Sequence, residues 1–508
     1  MEVNVVKMRP EDNVAIALHE LQPGEVALGK VTANTKIPQA HKVALVDIPE
    51  GQPVKRYGVV LGYAKDDIKA GDWVNENSLV LPPSPDLKEL KKEYGKNVKD
   101  LAELPKPQRT TWLGYDVPGC RYAGTRNILG IMTTVQCVAG ICQRAVDRLK
   151  QEVLPKYPNV DDIVLIRHGY GCGVAINAKE ARVPIRELRN IMKNPNFGGQ
   201  VMMVGLGCEK LQPEMLVNKE DVNADNFMLL QNYSGFPSMI DAIMQMAEKK
   251  LKILNQRKRT EQPLSKLNVG FQCGGSDAFS GVTGNTSAGY ASDLIVAGGG
   301  TTMFSEVSEV RDGVQFIARR IPDQPNCNKL IKEMSWYDNY LAAGGVDRSA
   351  NPTPGNRKGG LSTIVEKSMG SIAKSGSAPI AEVISAGEIP SKRGLIFNAT
   401  PAGDFVVGPM QLASGMGLEV FVTGRGTPYN LEAAPVIKVC TRTDLKKFWS
   451  DLIDINAGTV ATGEKTVEEV GTELFNYILD VASGKKQSVA ESLKLYNDMV
   501  LFNPAPMS

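Results

Sequence analysis

The chain is poor in histidine, with only His19, His41 and His168 among 508 residues. Any imidazole chemistry must use one of these three. Cysteine is sparse as well. The eight residues include no pair at CxxC spacing, which excludes a disulfide scaffold and fits reduced thiols. No run of about eighteen apolar residues occurs, and residues 1–13 lack the apolar core of a signal peptide. A cytoplasmic protein without a membrane span is therefore expected. A formal net charge of +2 offers no electrostatic footprint for nucleic acid. The phosphate loop GxxxxGKS/T, the GxSxG elbow and HExxH are all missing. GxG fragments at Gly169–Gly171, Gly205–Gly207 and Gly424–Gly426 never extend to GxGxxG.

What the chain does contain is a recurring figure: an aliphatic run ending in a glycine-rich polar loop. With 42% hydrophobic and 22% charged residues it reads as a soluble globular protein long enough for several cores. Residues 1–82 carry short runs, such as Lys42-Val43-Ala44-Leu45-Val46 and Val59-Val60-Leu61, too tightly spaced for intervening helices. They predict a small all-β module. Residues 83–110, opened by Pro82-Pro83-Ser84-Pro85 and closed by Pro105-Lys106-Pro107, read as a charged linker holding a short exposed helix. From 111 to 265 strand and helix patterns alternate, which predicts an α/β region with a mostly parallel sheet. From 266 to 508 the scheme repeats. There the runs Leu267–Gln272, Leu294-Ile295-Val296, Gly394–Phe397 and Glu419–Val422 are read as strands.

Chemistry-bearing residues gather at the ends of these runs, where open α/β sheets place their ligands. His168 and Cys172 follow Ile163-Val164-Leu165-Ile166, and Glu209 follows Gly205-Leu206-Gly207-Cys208. Ser276 and Asp277 follow Cys273-Gly274-Gly275, Asp404 follows Thr400-Pro401-Ala402-Gly403, and Arg425 stands between two glycines. The flanking glycines would let a carboxylate approach the Arg425 guanidinium bidentately. His41 lies at a polar turn of the β module, and His19 reads as a surface residue. Cys137, Cys172, Cys208 and Cys273 all fall at strand ends, so an iron–sulfur cluster, a single metal ligand and simple packing all stay open. Cys142, Cys327 and Cys440 read as core.

Several stretches together resemble the galactarate dehydratase and altronate dehydratase family over essentially the whole chain. They are Asn13-Val14-Ala15-Ile16, His41-Lys42-Val43-Ala44-Leu45, His168 with Tyr170-Gly171-Cys172, Gly205-Leu206-Gly207-Cys208-Glu209, Cys273-Gly274-Gly275-Ser276-Asp277, Pro354-Gly355-Asn356 and Thr423-Gly424-Arg425-Gly426-Thr427-Pro428-Tyr429. Val135-Gln136-Cys137-Val138-Ala139-Gly140 and Trp336-Tyr337-Asp338-Asn339-Tyr340 are similar to the galactarate branch. Ala40 departs from the pattern, since relatives usually have glycine there.

The resemblance implies a SAF-type (β-clip) N-terminal domain, then two α/β regions, the last Rossmann-like. It implies loss of water from galactarate to give 5-dehydro-4-deoxy-D-glucarate, with altronate or another sugar acid as the alternative substrate. It further implies a divalent metal, iron(II) before manganese(II), and a homo-oligomer, taken as a dimer. The expected catalytic residues are His41, His168 and Lys42. The expected metal ligands are His168, Cys172 and Glu209, and Arg425, Asp277 and Ser276 are expected to bind the sugar diacid. Two rivals are an iron–sulfur hydro-lyase built on Cys137, Cys172, Cys208 and Cys273, and a non-catalytic sugar-acid sensor.

Overall fold

The aliphatic runs of the two α/β regions form two separate parallel sheets. The structure is a computed structural model and describes residues 4–507. In the central region the spatial order is Asp162–Ile166, Ile128–Thr133, Val201–Gly205 and Phe227–Leu229, all parallel. All residues of Ile128–Thr133 are buried, so an unbroken aliphatic run is what the position demands. Helices Ala139–Arg148 and Gly235–Leu254 share one core with this sheet. On the other side, Leu188 and Ile191 of helix Arg182–Ile191 join a second core that also holds Met303, Ile396 and Met416 of the C-terminal region. The two α/β regions are thus packed together by continuous apolar burial.

The C-terminal sheet has seven parallel strands. Their order is Ile380–Ser385, Gly394–Ala399, Thr301–Phe304, Asn268–Cys273, Leu418–Thr423, Val436–Cys440 and Ile455–Asn456. From Asn268–Cys273 the chain moves to its neighbour Thr301–Phe304, passes to the edge strand Ile380–Ser385 and returns to place Gly394–Ala399 between them. It then crosses to the other side of Asn268–Cys273 at Leu418–Thr423. That reversal opens a crevice at the carboxyl ends of these two strands. The loops leaving them touch, because Gly424 and Arg425 both donate backbone N–H groups to the Gly275 carbonyl, at 3.2 and 2.9 Å.

One expected strand is corrected. Leu294-Ile295-Val296 lies in helix Gly284–Ala297, nearly all of which is buried, and the strand is Thr301–Phe304 just beyond it. A helix buried on nearly every side shows no apolar stripe, so a short aliphatic run cannot reveal its period.

The N-terminal region is strand-rich. An antiparallel sheet runs Val5–Val6, Val14–Ala17, Lys42–Ala44, Trp73–Val74, beside a second sheet of Pro53–Arg56, Val59–Ala64 and Leu79–Val80. It docks on the C-terminal region through Ile16 and Ala40, which pack with Phe279, Val282 and Leu361. Ala40 adopts φ +71°, the left-handed conformation that glycine tolerates and alanine does not favour.

Residues 83–110 do not form a loose tether. Leu90 and Leu104 are buried in the same core as Val307, Val310 and Leu330. Arg311 donates to the Pro85 carbonyl at 3.0 Å, and Arg319 to Glu93 at 2.6 Å. At the other terminus the tail returns to the central region, where Ala175 donates to the Pro506 carbonyl at 3.0 Å and Val174 bridges Met507. No helix among the described residues is long and apolar enough to cross a membrane.

Candidate active site

Strand Asn268–Cys273 delivers the Cys273 thiol to the crevice, and two acids meet it there. Cys273, Glu306 and Glu309 each present a ligand atom within 4.8 Å of the others, and all three are buried. Glu306 follows strand Thr301–Phe304 with φ +76°, a strained backbone for a residue with a Cβ and a frequent mark of functional positions. Helix Ile364–Ile372 and the turn after it supply two cations. Lys367 Nζ lies 3.5 Å from Glu309. Lys374 Nζ lies 3.2 Å from Cys273 Sγ and 3.7 Å from Glu306.

Burial pushes the Glu306 carboxyl well above the usual range, and the adjacent Glu309 carboxylate pushes it the same way. Burial also pushes Glu309 up, but Lys367 and Lys374 outweigh that and hold it below the usual range. A neutral carboxylic acid and a carboxylate therefore stand side by side, the pattern that separates donor from acceptor. Beside them, Gln272 Nε2 donates to Asp404 Oδ1 at 3.0 Å. Burial raises Asp404 to about 6, within the range suited to proton transfer near neutrality. Asp404 lies directly under Gly274, where a Cβ would come within 2.4 Å of its Oδ2, so only glycine fits there.

A short helix, Pro354–Lys358, separates this cluster from the N-terminal module. On its inner side Asn356 Nδ2 donates to the Ser276 carbonyl at 2.9 Å, and Lys367 donates to Asn356 Oδ1 at 3.3 Å. On its outer side Arg357 and Lys358 line an open cavity of roughly 510 Å³ with His41, Trp73 and Glu76. His41 Nδ1 accepts from the Trp73 indole at 3.1 Å, so its hydrogen is on Nε2, 3.3 Å from the Lys358 carbonyl. Burial holds His41 below its ordinary value, with Lys42 adding to the effect.

The expected site residues divide. Ser276 and Arg425 stand at the crevice: the Ser276 hydroxyl is buried with no partner, and Arg425 is exposed. His168 is a correction. Its Nε2–H donates to the Thr133 carbonyl at 2.7 Å and its Nδ1 accepts from the Tyr170 amide at 3.2 Å. Both nitrogens are committed to backbone, and burial lowers the ring to about 4, so it offers neither a ligand nor a proton carrier. Glu209 is another, because its carboxylate bonds Thr134 Oγ1 and accepts the amides of Leu206 and Gly207 at 3.1 and 2.7 Å.

Lys42 is a third correction. Its fully buried ammonium donates to Glu366 at 2.9 and 3.1 Å and to the Gly360 carbonyl at 2.7 Å, which uses all three N–H groups. Asp277 is a fourth, since it pairs with Arg442 at 3.2 Å and accepts from Thr441 and Ser280. Cys172 is exposed on the central region, away from the Cys273 cluster.

Sequence reading missed Glu306, Glu309, Lys367 and Lys374. A signal was present: two acids three residues apart directly after Thr301-Thr302-Met303-Phe304-Ser305, and two lysines seven apart, Lys367 and Lys374, in a stretch with few other charged residues.

As to a divalent ion, the expected set of His168, Cys172 and Glu209 does not fit, because the histidine and the carboxylate are internally satisfied. Cys273, Glu306 and Glu309 do fit. They combine a thiol with two carboxyls at ligand spacing, a donor set suited to a borderline transition metal, and Glu306 Oε2 is buried without a hydrogen-bond partner. Lys374 lies against the same atoms and supplies positive charge there.

A strand-end crevice holding paired acids and buried cations defines an enzyme acting on an anionic, oxygen-rich small molecule. The particular family follows from comparison with known proteins. Family models described as the altronate/galactarate dehydratase SAF domain, the D-galactarate dehydratase/altronate hydrolase second domain and the D-galactarate/altronate dehydratase C-terminal domain match residues 3–82, 114–255 and 264–507. The chain is 52% identical to galactarate dehydratase (L-threo-forming) of Escherichia coli (strain K12), covering 99% of this chain and 97% of that protein. It is 32% identical to altronate dehydratase of Bacillus subtilis (strain 168), covering 94% and 95%. The chain belongs to the galactarate and altronate dehydratase family.

Proposed function

We propose that this protein is a hydro-lyase that removes water from galactarate to give 5-dehydro-4-deoxy-D-glucarate. The buried Cys273–Glu306–Glu309–Lys374 cluster, with Asp404 beside it, carries the reading. The higher identity to the galactarate enzyme than to the altronate enzyme supports the choice of substrate.

Elimination requires loss of a proton α to a carboxylate and departure of the neighbouring hydroxyl. Arg425 and the Ser276 hydroxyl orient one carboxylate of the diacid at the crevice mouth. Lys367 and Lys374 stand where charge develops as the α proton leaves, in a water-poor setting where fixed cations act strongly. Asp404 accepts the α proton. His41 lies across helix Pro354–Lys358 from the Cys273 cluster with both ring nitrogens bonded, so we read it as a wall of the outer cavity and not as the acid for the departing hydroxyl. Cys273, Glu306 and Glu309 would hold a divalent ion, iron(II) or manganese(II), which supplies Lewis-acid polarisation of substrate oxygens. We read the C-terminal layering as Rossmann-like, the N-terminal module as a β-clip, and the protein as a cytoplasmic dimer.

The test is water elimination from a panel of aldarates and aldonates with iron(II), manganese(II) or magnesium(II), in wild type and in Asp404→Asn. Galactarate turnover that falls about 10²–10⁴-fold in the variant is expected. Turnover of altronate alone, or an Asp404→Asn enzyme as fast as wild type, overturns the substrate or the proton assignment respectively.

A further inference from the structure

One side chain of the N-terminal module reaches toward the crevice. Gln39 lies half-buried in the turn before strand Lys42–Ala44. Its Nε2 donates to the Leu18 carbonyl of the same module at 2.9 Å, which settles the orientation of the amide. Its Oε1 is thereby turned outward, and it accepts from Arg442 Nη1 at 2.6 Å. Arg442 belongs to the other side of the seam, just after strand Val436–Cys440 of the C-terminal sheet.

The other nitrogens of Arg442 are directed at the crevice loop. Nη2 donates to the Gly424 carbonyl at 3.2 Å. Nε lies 3.2 Å from Asp277 Oδ2 as a charge contact without hydrogen-bond geometry. Asp277 sits directly under the same loop, where a Cβ on Gly424 would come within 2.2 Å of its carboxyl carbon. Burial raises the Asp277 carboxyl, and Arg442 is foremost among the groups that oppose the rise. One planar guanidinium thus joins the N-terminal module, a buried acid and a crevice carbonyl, which the fixed fork of its N–H groups permits.

The peptide between Gly424 and Arg425 is consequently held at both of its polar groups. Its N–H donates to the Gly275 carbonyl at 2.9 Å, and its carbonyl accepts from Arg442. Glycine stands on either side of Arg425, and such a segment has wide backbone freedom unless it is tied. The Arg425 guanidinium itself is exposed and makes no hydrogen bond or ion pair among the described residues. A fixed backbone under a free cation is a preorganised anion site.

We propose that Arg442 is a positioning residue through which the N-terminal module sets the affinity of the crevice for a substrate carboxylate. Gln39 holds the guanidinium, the guanidinium holds the Gly424 carbonyl, and Arg425 meets the anion. The module therefore acts on substrate binding although helix Pro354–Lys358 separates it from the Cys273 cluster. The identity of the anion, a sugar diacid, rests on the galactarate reading. The Gln39–Arg442–Gly424 linkage does not.

The experiment compares the full chain as wild type, Gln39→Leu, Arg442→Lys, their double variant and Asp444→Asn, assayed with galactarate and iron(II). Gln39→Leu and Arg442→Lys should each raise KM about 5–20-fold with kcat within about twofold, as loss of uniform binding does. The double variant should be no weaker than the worse single one, because both cut the same linkage. Asp444→Asn removes only an exposed partner of Arg442 and should match wild type. Lysine keeps a charge beside Asp277 but cannot form the fork. A wild-type KM in Arg442→Lys would reduce Arg442 to a counter-ion and overturn the inference. A second readout needs no substrate. Trp449 packs on Gly426, where a Cβ would come within 2.8 Å of its ring. With 5-fluorotryptophan at the four tryptophans, the Trp449 fluorine resonance should shift or broaden in Gln39→Leu. An unmoved resonance there overturns the linkage, whereas a wild type inert toward galactarate overturns only the dehydratase reading.

Discussion

The Nε2–H of His168 donates to the Thr133 carbonyl at 2.7 Å, joining two parallel strands just beyond their last sheet hydrogen bonds. With Nδ1 occupied by the Tyr170 amide, protonation would break one of the two contacts. The ring's low value of about 4 has a measurable sign. The folded state favours the neutral ring, so its stabilisation is complete above pH 6.5 and is lost as pH falls toward 4. The full effect is about 3 kcal/mol. With only three histidines, imidazole proton resonances are easily assigned by mutation. The His168 resonance should titrate with a midpoint near 4. A midpoint near 6.5 would contradict the buried, neutral assignment.

Glu366 joins Lys42 and Arg56 in a buried triad, with the Arg56 contact at 2.5 Å. Removing Lys42 leaves a balanced pair, whereas removing Glu366 leaves two buried cations. Glu366→Gln should therefore lose about 3–5 kcal/mol, and Lys42→Met clearly less. Urea unfolding of both variants checks the order, and Lys42→Met should retain substantial turnover because its ammonium never reaches substrate.

Asp404 titrates in the opposite sense. Its folded value of about 6 exceeds the unfolded one, so its favourable contribution holds below pH 3.8 and is lost as pH rises through 6. Asp404→Asn should be more stable than wild type at pH 7 by up to about 3 kcal/mol, and no more stable at pH 4. The gain accompanies the loss of turnover predicted above, a stability–activity trade-off. Denaturation midpoints at the two pH values decide it.

Ala40 sits at φ +71°, against a segment so close that a Cβ on Gly360 would come within 2.0 Å of the Ala40 carbonyl. Relief of left-handed strain, about 1–2 kcal/mol, should exceed the backbone entropy that glycine loses, about 0.5–1 kcal/mol. Ala40→Gly should raise the melting temperature by about a degree or less for a chain of this size, read by calorimetry.

The sheets were largely legible in the sequence because parallel strands buried on both faces spell continuous aliphatic runs, as in Ile128–Thr133 and Leu418–Thr423. Helix Gly284–Ala297 was not, since burial on nearly every side erases its stripe. The site was legible in location more than in roles. Ser276 and Arg425 fall at the crevice, but a buried His168 and a buried Lys42 look in sequence like any reactive histidine or lysine. Only three-dimensional pairing shows their nitrogens to be already bonded. Glu306 and Glu309 escaped notice for the converse reason: charged residues after a strand ordinarily face solvent, and nothing local announces that these two are enclosed.

The returning tail has a consequence for how this chain is made. Pro506 and Met507 clasp Ala175 and Val174, residues translated more than three hundred positions earlier. Gly173 sits against the Met507 methyl, where a Cβ would come within 3.3 Å. The Cys172 loop therefore stays without this cover until residues 506 and 507 have been made. Loss of the contacts made by Pro506 and Met507 would leave the sheets intact and that edge unlatched.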